Sequence, residues 1–167
     1  MARLVDAQHR ALKGCAAPPA SQERIELAQT HGMPPLQAVG WPRDPLWRDI
    51  LRQLVDDVAA GPDVPAEAVE VCASLRRALD EDTESLEDLA EAVLSEQHHG
   101  VDGAAAPFVM AALQVYWTDL ASRFDEKQLP VASPFGVCPV CASLPVASVV
   151  RVLSLIHISE PTRLRRI

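Results

Sequence analysis

Aromatic side chains are scarce. Three Trp, three Phe and one Tyr make up 4% of the 167 residues, so any core must rest on Leu, Val and Ala. Ala and Leu favour helix over strand. No run of about 18 apolar residues occurs, which excludes a spanning helix. Asp6, His9, Arg10 and Lys13 interrupt the first 20 residues, so no secretory signal is read there and a soluble, cytoplasmic protein is expected. Basic charge is also short. The net charge is −8; residues 151–167 carry Arg151, Arg163, Arg165 and Arg166 against Glu160, leaving −11 on the first 150 residues. An acidic body argues against a nucleic-acid binder, which needs a basic surface. There is no Gly-rich phosphate loop, nucleophile elbow or zinc-protease helix signature. There is no second Cys-x-x-Cys pair, no internal repeat and no low-complexity tract.

What is present is globular in composition, with 49% apolar and 23% charged residues. The patterning predicts a mainly α protein. Met1 to Lys13 is helix-compatible, with Leu4, Val5 and Leu12 on one side, until Gly14 and Pro18-Pro19 break it. Ser21 can cap a second helix running to Gln29, with Ile25 and Leu27 as its apolar side. Asp44 followed by Pro45 is the strongest start signal in the chain: a carboxylate cap, then a proline suited to the first helical turn. Leu46, Trp47, Ile50, Leu51, Leu54, Val55 and Val58 then form one apolar stripe. A fourth helix opens at Pro65 with Ala68, Val69, Cys72, Leu75 and Leu79 on one face. A fifth is expected from Ser85, carrying Leu86, Leu89, Ala90, Val93 and Leu94. The helix from Ala106-Pro107-Phe108 to Leu120 is apolar around most of its circumference, as a central bundle helix is. A linker follows, and then Val146 to Leu153, a valine-rich strand.

Between linker and strand stand Cys138 and Cys141. Two thiolates on a tight turn can fill two of the four positions around tetrahedral zinc or iron. A closed site needs two more ligands. The rival is thiol–disulfide exchange, in which the pair normally opens a helix whose dipole lowers the first thiol's pKa; here Pro145 and β-branched residues follow. An inert turn is the third reading. Cys72 on an apolar helix face reads as a buried small side chain, and Cys15 in a loop has no ligand spacing. His98 and His99 could bind metal, but adjacent residues on a helix diverge, and the pair reads rather as the cationic end of a helix. The acidic stretch 80–84 reads as a solvated inter-helix segment. Trp41, Trp47 and Trp117 read as packing residues, with Trp41 beside Arg43 also able to mark a contact surface.

Three segments together resemble one family. They are Pro34-Pro35-Leu36 leading to Trp41-Pro42-Arg43-Asp44-Pro45-Leu46-Trp47; Ala106-Pro107-Phe108 through Tyr116-Trp117; and Cys138-Pro139-Val140-Cys141-Ala142-Ser143-Leu144-Pro145-Val146-Ala147-Ser148. They resemble the FdhE-type formate dehydrogenase accessory proteins over residues 1–152. The resemblance implies a helical domain over 1–129. From 130 to 152 it implies a linker and the start of a rubredoxin-like or zinc-ribbon module, giving the first strand and Cys turn of an incomplete site. It implies iron or zinc in a longer parent, with Cys138 and Cys141 as the matching metal ligands and little metal held by two cysteines alone. It implies no catalysis, but a maturation factor needed for formate dehydrogenase activity, binding that enzyme's catalytic subunit in the cytoplasm. The sequence departs from the family pattern in three ways. Ala142 stands where the family has glycine, an N-terminal segment is missing, and the later cysteine pairs are missing. Residues 153–167 resemble a translated adaptor or vector remnant rather than the family, so they are expected to be a non-native tail on a fragment.

Overall fold

The structure, a computed structural model, describes residues 2–40, 43–95, 101–125, 127, 129 and 137–144. Six helices follow in order: α1 (Ala2–Gly14), α2 (Gln22–His31), α3 (Leu46–Ala59), α4 (Ala66–Glu81), α5 (Thr83–Leu94) and α6 (Ala106–Ser122). Among the described residues there is no strand; the expected valine strand at 146–153 and, apart from Leu129, the expected linker from Leu129 to Phe135 lie outside them. No described helix is long and apolar enough to cross a membrane.

The starts follow local chemistry. The Asp44 Oδ1 accepts the Leu46 N–H at 2.9 Å, and Pro45 already holds helical angles, φ −54° and ψ −17°. Ser21 caps α2 through the Arg24 N–H, and Gly32 ends that helix at φ +63°, a conformation glycine adopts without Cβ strain. The fifth helix starts two residues before the expected Ser85. The Asp82 N–H closes α4 on the Ala78 carbonyl, while the Asp82 carboxylate accepts the Ser85 N–H at 3.1 Å. One residue thus serves as stop and start, and the acidic stretch is almost wholly helical, though exposed as expected. Asp102, unmarked in the sequence reading, takes the Ala104 and Ala105 N–H groups ahead of α6.

α3 and α6 form the centre. α6 packs against α1, α3 and α5; α3 also packs against α1 and α4, and α4 against α5. The α3 stripe is buried from Trp47 to Val58. α6 buries Val109, Ala111, Ala112, Leu113, Val115, Tyr116 and Leu120, as a central helix should. Three stripes differ from expectation. On α1 the seam is Ala7 and Ala11, with Leu4 and Leu12 partly buried and Val5 exposed, because the 4, 7, 11 spacing faces the bundle. On α2, Ile25 and Ala28 are buried, and Leu27, two positions round the helix from Ile25, is exposed. On α4 burial begins at Cys72, so Val69 in the first turns is exposed.

Asp119 is the buried acidic side chain of this core. Its Oδ2 accepts the Ala17 N–H at 2.8 Å and pairs with Arg123, whose Nη2 also reaches the Ala17 carbonyl at 2.6 Å. This knot fixes the loop between α1 and α2 to α6. Asp119→Ala leaves the Ala17 N–H without its acceptor, so we expect a loss of about 1–3 kcal/mol in urea unfolding. A change below about 0.5 kcal/mol, the size of an ordinary surface substitution, would refute this role.

Candidate functional site

The cysteine turn closes on itself by two hydrogen bonds. The Ala142 N–H donates to the Cys138 carbonyl at 2.9 Å, and the Cys138 N–H donates to the Ser143 carbonyl at 2.9 Å. The turn needs a left-handed residue at 142, where Ala142 has φ +64°. The backbone thus keeps a geometry suited to glycine, at a cost of about 1–2 kcal/mol for a residue with a Cβ. Both thiols are free and half-buried. The Cys141 Sγ donates to the Ser143 Oγ at 3.4 Å. Burial pushes the Cys141 thiol up, and the neighbouring Cys138 thiol adds to this; the hydrogen bonds with Ser143 oppose them without reversing the shift.

The turn sits on the helical body rather than apart from it. The Val140 carbonyl accepts the Leu36 N–H at 2.8 Å, and the Cys141 carbonyl accepts the Ala38 N–H at 3.0 Å. Leu36 is held in turn by α6, because its carbonyl accepts the Trp117 indole N–H at 2.9 Å. Just downstream the Gly40 N–H donates to Glu91 Oε1 at 2.8 Å. Arg43 then inserts between two α5 carboxylates. Its Nη2 lies 3.0 Å from Glu87 Oε2, and its Nη1 lies 3.0 Å from Glu91 Oε2. Glu87 also accepts the Trp47 indole N–H at 2.9 Å. On the other side the Asp44 N–H donates to the Tyr116 hydroxyl at 3.3 Å, and the Tyr116 and Trp117 rings meet edge to face at 4.9 Å. Burial pushes the Tyr116 phenol up despite the Asp44 N–H bond, so it stays protonated in neutral solution.

Of these groups Leu36, Arg43, Asp44, Tyr116 and Trp117 line an open cleft of about 430 Å³, with Pro19 and Arg24 also in its walls. Another, smaller cleft of about 320 Å³ borders Cys141, with Gln37, Val39, Ser95 and Leu144 around it. The ion-pair cluster was not read from the sequence. Its only local trace is that Glu87 and Glu91 stand four apart and so share one face of α5.

Cys138 and Cys141 lie on one turn, where the Cys138 thiol acts on that of Cys141. Cys72 is buried in the core, and Cys15 lies beside Asp119 in the α1–α2 loop, where burial and that carboxylate push its thiol up. Neither joins the turn. Trp47 is fully buried and Trp117 packs on the core. Trp41, His98 and His99 lie outside the described residues. Among the described residues no three or more His, Cys, Asp or Glu side chains converge as a metal-binding group.

Comparison with known proteins places this geometry in a family. The family profile described as "FdhE, N-terminal" matches residues 1–133, a stretch that stops before the cysteine turn. "Protein FdhE" of Escherichia coli O1:K1 / APEC is 34% identical over 130 residues, which are 77% of this chain and 40% of that protein. The protein of the same name from Shigella boydii serotype 18 matches to the same extent. The chain therefore spans about two fifths of the length of these curated relatives. The crystal structure of the FdhE protein from Pseudomonas aeruginosa superposes with a TM-score of 0.63 at 33% identity, covering 86% of this chain and 49% of that one. A profile over most of the chain and a matching helical fold at this identity lead to one conclusion: the chain belongs to the FdhE family.

Proposed function

We propose that this chain is the helical body of an accessory factor required for formate dehydrogenase activity. It binds the enzyme's catalytic subunit in the cytoplasm during maturation and carries out no reaction of its own. Family membership supports the accessory role. The observation that carries the binding role is that Arg43, Asp44 and Tyr116, polar groups in the walls of the larger cleft, are engaged in contacts within the fold. Arg43 is tied to Glu87 and Glu91, the Asp44 Oδ1 to the Leu46 N–H, and the Tyr116 hydroxyl to the Asp44 N–H. Such groups shape a surface; they do not stand poised as acid, base or nucleophile.

In this reading residues 130–152 begin a rubredoxin-like or zinc-ribbon module, and 153–167 are a non-native tail. Cys138 and Cys141 would hold two positions of an iron or zinc ion, which when bound supplies a cross-link between ligand segments rather than a reacting group. Two more ligands from a longer parent would close the site. The thiol–disulfide alternative is disfavoured because Cys138 stands in a turn closed by the Ala142 N–H and the Ser143 carbonyl and not at a helix start, whose dipole would lower the first thiol.

The test is affinity capture of the catalytic subunit of a respiratory formate dehydrogenase by the longer parent under anaerobic conditions. The expected result is enrichment of about tenfold over an unrelated dehydrogenase, corresponding to about 1.4 kcal/mol of preference. Equal recovery of the two enzymes would overturn the proposal.

A further inference from the structure

The cysteine turn was expected to open a separate module after a linker. The hydrogen bonds describe another arrangement. Two consecutive carbonyls of the turn, those of Val140 and Cys141, are fixed by the N–H groups of Leu36 and Ala38, and Val140 packs against the core. Leu36 and Ala38 are themselves buried. Leu36 uses both backbone groups at once, its N–H on the turn and its C=O on the Trp117 indole. A buried backbone group of this kind has no water to fall back on, so each bond resists being opened.

The geometry points to Trp117 and the Leu36–Ala38 segment as positioning residues for the Cys138–Cys141 pair. Through Leu36, helix α6 sets where the turn sits, so the thiols are presented at a fixed place on the bundle rather than at the end of a tether. The segment is anchored a second time downstream, where the Gly40 N–H meets Glu91 and Arg43 meets both α5 carboxylates. A tethered knuckle would have to be ordered by its metal. A docked one is ordered beforehand, and an incoming ion meets two sulfurs already placed. The docking itself is independent of metal. Only its consequence for ion binding rests on the metal reading above.

The experiment uses the whole chain, first without metal. Amide hydrogen exchange is followed at Leu36 and Ala38, and alkylation of Cys141 by iodoacetamide is followed by peptide mass spectrometry. Both are compared in the wild type, Trp117→Phe and Ala38→Pro. Trp117→Phe keeps a ring but removes the indole N–H; Ala38→Pro removes the donor to Cys141. We expect protected amides in the wild type. Each variant should alkylate Cys141 about three- to tenfold faster at unchanged helical circular dichroism, the range that losing one or two net hydrogen bonds gives. Leu36 and Ala38 amides that exchange as fast as an open chain in the wild type would overturn the proposal. So would Cys141 alkylation at the wild-type rate in a folded variant. If Ala38→Pro loses its helicity, Trp117→Phe and the wild-type exchange decide.

Cobalt(II) is then added as the metal probe. Thiolate-to-cobalt absorption together with slower exchange at Leu36 and Ala38 supports the link from turn to body. The same absorption with unchanged exchange at both amides overturns that link. Absence of the absorption counts against the metal reading, while the metal-free exchange and alkylation still judge the docking.

Discussion

Replacing Trp47 by alanine will lower the unfolding free energy by about 3–5 kcal/mol, the cost of emptying a large aromatic site in a packed core. Trp47 is fully buried on α3, in the same cluster as Ile50, Leu51, Leu54, Leu113 and Tyr116. α3 and α6 supply the central contact of the bundle, so a void at Trp47 cannot be filled by moving one peripheral helix. The loss is not only volume. The indole N–H donates to Glu87 Oε1, and that glutamate also receives Arg43. Truncation therefore takes away a donor from a carboxylate that already balances a guanidinium. Trp47→Phe separates the two contributions. It keeps most of the ring and loses the donor, and should cost about 1–2 kcal/mol, the size of one charge-assisted hydrogen bond with a small packing defect. Urea unfolding followed by far-ultraviolet circular dichroism measures both. A Trp47→Ala loss below about 1 kcal/mol, the centre of the range for arbitrary substitutions, would mean that α3 does not hold the middle of the fold.

How much of this was legible beforehand depends on the range of each signal. Asp44 with Pro45, Ser21, Pro65 and Pro107 act within one helical turn, so the helix starts they mark were readable from local chemistry. The α3 stripe was readable because seven apolar positions repeat at helical spacing over four turns. On α1, alanines at 7 and 11 make the seam, and alanine carries too weak an apolar signal to outvote Val5 and Leu12. Asp82 was misread because one residue does what usually takes a loop. The cysteine turn was found by its spacing, but not its seat. Leu36 and Ala38 meet it through backbone N–H groups, and every residue except proline carries one, so no side-chain pattern marks the partner. Arg43 is separated from Glu87 and Glu91 by two whole helices, and only the fold brings them together.

Arg43→Met should cost about 2–4 kcal/mol at neutral pH, toward the lower end of what breaking a buried ion pair costs because both glutamates keep some solvent. The Arg43 side chain is 7% exposed, while Glu87 and Glu91 are 37% and 40% exposed. Methionine fills much of the same space, so what remains is mainly electrostatic. Glu91 loses its cation, and Glu87 keeps the more distant Arg48 at 3.9 Å. Arg43→Lys should recover little, because a single ammonium cannot span the two carboxylates and the Glu87 carbonyl that the guanidinium reaches together. The pH dependence gives a sharper check. Burial by itself pushes the Glu91 carboxyl up, but the Arg43 hydrogen bond, the Gly40 N–H and the Arg43 charge together outweigh it and leave it lowered. A carboxyl lowered on folding stabilises fully above its unfolded value of about 4.3, and that contribution is lost as pH falls through the folded value. Acid therefore weakens the wild type at this cluster. In Arg43→Met, acid instead relieves the burial of a Glu91 carboxylate that has lost its cation. The two effects act in the same direction, so the stability gap between wild type and variant should be largest near pH 7 and should narrow steadily towards about pH 3. A gap that stays constant over that range would show that Arg43 contributes through packing of its aliphatic stem and not through its charge.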